Sequence, residues 1–149
     1  MNGYLKRAIC HEAGHVVVAL NLGFHVENIL VSQRRPSVRI DLDSRTAPES
    51  YIVLAGGIAG EKFVMPHAGY DELGAQDDQR KISERGGGPI EAYLPDALHF
   101  VRSNQMVFED LRRQLTPLLL GFEAQYEESS ELLSHEEIER IWRSSRNTL

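Results

Sequence analysis

An α+β fold, mainly α-helical with one small β-hairpin, is predicted for this chain by three observations. Residues 3–22 repeat apolar side chains at helical spacing. Two short runs rich in β-branched residues, 26–31 and 38–42, flank a turn. The last sixty or so residues read as helix. At 149 residues the chain is expected to be one domain, 1–149. That length buries roughly two-thirds of the surface an unfolded chain exposes.

The first helix is expected from about Gly3 to Leu22, capped by Asn2 and stopped by Gly23. Ala8, His11, His15, Val18, Ala19 and Leu22 fall on one stripe, so both histidines face inward. The hairpin follows, Val26–Val31 and Val38–Leu42, with its turn at Gln33–Pro36. Pro48 precedes a second helix reaching about Val64. Its glycines are costly in a helix interior and make sense if another helix packs closely against that face. Residues 65–73 read as a loop, and Gly74 opens a helix from Ala75 to about Arg85. The run Gly86-Gly87-Gly88-Pro89 ends it and is expected to be mobile. It is no phosphate loop, because it lacks the Lys and Ser/Thr of that pattern. Next come a helix from Ala97 to about Gln114 and a second that Pro117 starts or kinks, reaching about Glu128. Ser134 caps a third, with Glu137 as its capping-box partner.

Composition narrows the function classes. The net charge is −6 and there is no basic stripe, which argues against nucleic-acid binding. Cys10 is the single cysteine, so no intramolecular disulfide can form, and it reads as a small buried hydrophobe. No apolar run approaches the roughly 18 residues that span a bilayer, and the start of the chain lacks a signal peptide's long apolar stretch. A cytoplasmic protein without a membrane segment is expected.

Residues 11–15 read His-Glu-Ala-Gly-His. Two imidazoles one helical turn apart can bind one metal ion, and the carboxylate between them sits where it can act on a metal-bound water. A catalytic zinc takes three protein ligands and keeps an open position, so a third ligand must come from downstream. Glu61, His67, Asp71, Glu72, Asp77, Asp78 and His99 are the candidates. Asp77 has Lys81 four residues later, the favourable order for an exposed pair. Asp78 has Ile82 at that spacing, which marks the buried face and selects Asp78. Glu61 on the glycine-rich helix is the candidate to orient a histidine from behind. His67 and Asp71 could line a cleft, whereas His25, His99 and His135 read as ordinary, partly exposed residues. Tyr70 is a conceivable oxyanion donor that nothing singles out.

These motifs resemble the zinc peptidase domain of the FtsH family of ATP-dependent metalloproteases. The family's His-Glu-Ala-Gly-His helix is present unchanged at 11–15. Its Gly-Gly-Arg-Ala-Ala-Glu helix is similar to Gly56-Gly57-Ile58-Ala59-Gly60-Glu61, with Ile58 in place of Arg. Its Gly-Ala-Ser-Asn-Asp segment is similar to Gly74-Ala75-Gln76-Asp77-Asp78. The stretch Leu132-Leu133-Ser134-His135-Glu136-Glu137-Ile138 resembles the family's closing segment, so the likeness spans most of the chain. The resemblance implies a helical zinc-peptidase domain with one Zn2+ per chain on His11, His15 and Asp78. It implies an endopeptidase for flexible or unfolded polypeptides, with Glu12 as general base. The family's membrane anchor and ATPase module have no counterpart in these residues, and no Gly-x-x-x-x-Gly-Lys-Ser/Thr occurs. ATP is therefore not expected to bind this chain, and a separate unfoldase is a conceivable partner. The alternative is a catalytically weak or inactive zinc-binding module that recognises protein segments. By analogy with other zinc peptidases, an edge strand near Ser37–Leu42 is expected to hold an extended peptide.

Overall fold

A computed structural model describes residues 3–33, 35–42, 47–69, 72–121 and 129–146, with the side chains of Glu72 and Leu73 outside the description. Asn2, Tyr70 and Asp71, the Glu72 side chain and the end of the helix expected to reach Glu128 lie outside the described residues. The fold is mainly helical with a small antiparallel sheet, as expected. In chain order the elements are α1 (Gly3–Asn21), β1 (Val26–Ser32), β2 (Arg35–Ile40), α2 (Ala47–Val64) and α3 (Glu72–Glu84). A 3-10 turn (Ile90–Ala92) then leads to α4 (Leu94–Ser103), α5 (Gln105–Leu120), β3 (Ser130–Ser134) and α6 (His135–Arg146). Among the described residues no helix is long and apolar enough to cross a membrane.

Helices α1 and α2 form the centre, and their glycines explain how closely they meet. A Cβ on Gly14 would lie 2.1 Å from the Gly56 carbonyl oxygen, and one on Gly60 would lie 2.2 Å from that of Cys10. Backbone therefore packs on backbone, and the cost of glycine within a helix is offset by that approach. Residues Tyr51 and Val53–Glu61 of α2 are all buried, as a helix enclosed on every side requires. Cys10 is fully buried, and burial pushes its thiol pKa up.

Both left-handed glycines close helices. At Gly23 (φ 82°), the N–H groups of Phe24 and Gly23 donate to Ala19 and Leu20, and Phe24 is buried beyond the stop. Gly86 (φ 83°) repeats the pattern, with Gly87 donating to Ile82 and Gly86 to Ser83. The glycine run, expected to be mobile, is hydrogen-bonded to its surroundings. The Tyr51 hydroxyl donates to the Arg85 carbonyl at 2.7 Å. The Gln79 amide donates to the Gly88 carbonyl and accepts from the Ile90 N–H.

Two further expectations are corrected. The C-terminal third is not wholly helical, because Ser130–Ser134 forms β3 and pairs antiparallel with β1, giving the order β2-β1-β3. Five residues carry too little periodicity to distinguish strand from helix, and the partner that decides lies a hundred residues away. The break between the last long helices falls at Asn104 rather than at Pro117, which lies inside α5. The Asn104 side-chain amide donates to the Phe100 carbonyl, while its backbone N–H turns to Val101. A side chain competing for backbone partners ends α4 there.

The α6 capping box forms as expected. Ser134 Oγ accepts from the Glu137 N–H, and Glu137 Oε1 accepts from the Ser134 N–H, both at 3.2 Å. Ser134→Ala is expected to cost about 1 kcal/mol. Urea unfolding that shows no change in midpoint would count against this cap.

Candidate metal centre

The helix α1 carries His11 and His15 four residues apart on its buried side, only 4% and 6% exposed. The α3 helix brings Asp78 to them from across the molecule, 5% exposed. The Nε2 atoms of the two histidines lie 3.0 Å apart. Asp78 Oδ2 lies 3.0 Å from His11 Nε2 and 3.1 Å from His15 Nε2. Three potential ligand atoms thus converge on one point.

What stands behind the rings decides what that point can hold. His11 Nδ1 is 2.7 Å from Glu61 Oε2, a carboxylate only 1% exposed. His15 Nδ1 is 2.9 Å from the Val53 carbonyl oxygen. Each Nδ1 faces an acceptor, so each carries the ring's proton when the imidazole is neutral. Both Nε2 lone pairs then point at each other and at a carboxylate oxygen, an acceptor-only triangle that needs a cation. Ligand atoms on one tetrahedral face of a zinc-sized ion with bonds of about 2.0–2.1 Å stand roughly 3.3 Å apart, close to what is found. The residues therefore fit a divalent metal.

Glycine makes room here as well. A Cβ on Gly57 would lie 2.3 Å from His11 Nε2, so only glycine lets the ring pass α2. Glu12 sits on the half-exposed flank of α1 and lines a cleft of about 460 Å³ with His11, His15 and Asp78. Its carboxylate also accepts the Val38 N–H from β2. The cleft runs along this edge strand, with Val38, Ile40, Leu42 and Leu54 among its apolar lining.

The electrostatics follow from burial and neighbours. Burial pulls the His11 imidazolium down, but the Asp78 and Glu61 carboxylates outweigh it and raise its pKa from 6.5 to about 10. His15 is also raised, with burial opposing and Asp78 prevailing. Burial would raise Asp78, yet the two imidazoles hold it well below the usual carboxylate range. Burial pushes the Glu12 carboxyl up, against the pull of His11 and His15. Without metal, a proton takes the cation's place among these groups. A His pKa raised on folding stabilises fully below its unfolded value near 6.5, and that stability is lost as pH rises through about 10. Chelator-treated protein should therefore lose thermal stability from pH 7 to 10, while the metal-loaded protein should hold it. A chelated protein that gains stability over that window would contradict this assignment.

Of the other candidates, Asp77 is exposed and pairs with Arg80 and Lys81 at 2.6 and 3.3 Å. His67 is exposed and does not line the cleft, which corrects that expectation. His99 is exposed, while His25 and His135 stack on one another away from the cluster, their ring centroids 4.4 Å apart. Sequence reasoning missed the Val53 carbonyl and the Val38 N–H, which are backbone groups with no side-chain signature. It also missed Arg35 and Lys81 on the rim of the cleft. No protein-family model matches this chain, and no curated protein or solved structure is significantly similar to it.

Proposed function

We propose that this chain is a zinc metalloendopeptidase, similar to the peptidase domain of the FtsH family, that hydrolyses flexible or unfolded polypeptides. The observation that carries this reading is the acceptor-only triangle of His11, His15 and Asp78 beside Glu12, at the floor of a cleft bounded by β2, the edge strand of the described sheet. Two imidazoles and one carboxylate are a donor set that suits zinc. A bound zinc supplies Lewis acidity, which makes water acidic near neutral pH and polarises the substrate carbonyl.

The chain's own groups do the rest. Glu12 takes the proton of the attacking water and returns it to the leaving amine. Burial raises its carboxyl pKa, which makes it the stronger acceptor for the water proton. Glu61 and the Val53 carbonyl hold the two rings so that Nε2 faces the cleft. The outward edge of β2 offers backbone groups to an extended peptide, which would lie across Glu12.

The test combines metal analysis of the purified protein with cleavage of casein and a peptide library. Stoichiometric zinc with cleavage that stops on chelation and returns with zinc supports the reading. Zinc without any cleavage would instead favour a segment-recognising module. Glu61→Gln is expected to weaken zinc binding about 10–100-fold by loosening the His11 ring. Competition against a chromophoric chelator measures this, and unchanged affinity would remove Glu61 from its role.

A further inference from the structure

The cleft is lopsided in charge. Its floor carries Glu12 and Asp78, and the α3 rim carries Asp77 and Lys81, which pair at 3.3 Å. The opposite rim is β2, where Arg35 lines the cleft, exposed and without an ion pair among the described residues. Arg39, on the same outward face of the strand but outside the lining of the cleft, is likewise exposed and unpaired among them. In a chain of net charge −6, the edge beside the metal cluster thus presents uncompensated positive charge.

We propose that Arg35, with Arg39 behind it on the same edge strand, selects acidic side chains in the extended peptide that the cleft takes. This inference rests on the peptidase reading for its substrate class. Arg35 stands three residues from Val38, whose N–H meets Glu12, or about 10 Å along the strand. It therefore addresses a substrate residue about three positions from the scissile bond. Arg39 lies four residues from Arg35 on the same face, about 13 Å away, a spacing that extended residues four apart reproduce. A chain terminus carries one carboxylate and cannot answer both arginines, so acidic side chains are the fitting partner. Both sites are distant from the reacting atoms, so the selection acts on binding and KM rather than on kcat.

The test uses the zinc-loaded full chain and fluorescein-labelled peptides with Glu at two positions four apart. Each is compared with its Gln counterpart, and each is made with a free or an amidated C-terminus. Anisotropy reads binding and fragment analysis reads cleavage. The Glu peptide is expected to bind roughly fivefold tighter than the Gln peptide, as exposed charge pairs allow. That advantage should shrink as added salt shortens the Debye length from about 10 Å to about 3 Å. In Arg35→Gln the ratio should fall toward one, and Arg35→Glu should prefer the Lys counterpart. Equal affinity for Glu and Gln peptides, an Arg35→Glu protein that still prefers Glu, or a preference that follows the free terminus would each overturn the proposal. Acid-selective binding without cleavage sinks the peptidase reading and leaves the Arg35 selection standing, whereas cleavage without selectivity does the reverse.

Discussion

Glu12→Gln is expected to keep its metal and lose about 10²–10⁴-fold in kcat for peptide hydrolysis, the usual contribution of a positioned general base. The prediction separates binding from chemistry because Glu12 is not one of the three converging ligand atoms. The amide keeps the size of the side chain and still accepts the Val38 N–H through its oxygen, so the β2 edge should stay in place. Zinc content and thermal midpoint should match the parent within error, with KM little changed. A variant that cleaves at the parental rate would remove Glu12 from the chemistry. One that also loses its zinc would show that the carboxylate supports the metal site itself.

Gly14→Ala is expected to have the largest effect on folding. Its Cβ would lie 2.1 Å from the Gly56 carbonyl oxygen and 3.0 Å from Gly60 Cα, all of it backbone that no rotamer change can move. The two helices must separate, at a cost of about 1–3 kcal/mol for overpacking of this kind, or more. The same movement draws Glu61 and the Val53 carbonyl away from the rings they hold. Loss of stability and of zinc affinity should therefore appear together in one variant. Gly3→Ala, where nothing lies within 4 Å of the added Cβ, is the matched control and should be nearly silent. A Gly14→Ala protein as stable as its parent would mean that α1 and α2 do not meet this closely.

The His11, His15 and Asp78 cluster was legible because each step used a local rule. His11 and His15 share a helical face by their spacing of four. Asp78 was separated from Asp77 by what lies four residues on, Ile82 against Lys81, and Asp78 is buried while Asp77 pairs at the surface. The glycines of α2 signalled a close helix through their cost, and α1 is that helix. The expectations that the structure changed turn on hydrogen bonds that periodicity does not encode, some of them local and some between distant segments. β3 exists through its pairing with β1, Asn104 breaks a helix through its own side chain, and the glycine run is held by Gln79 and Tyr51.

The sequence by itself determined which helical face His11, His15 and Asp78 each occupy, because helical periodicity places residues i and i+4 together without help from the rest of the chain. Only the tertiary structure decided that Asp78 Oδ2 comes within 3.1 Å of both rings and that Glu61 and the Val53 carbonyl stand behind them. It also decided that β2 is the edge strand of the sheet among the described residues, with its Val38 N–H on Glu12 and Arg35 on the rim of the cleft. Those relations depend on contacts between segments far apart in the chain, which local propensity does not encode.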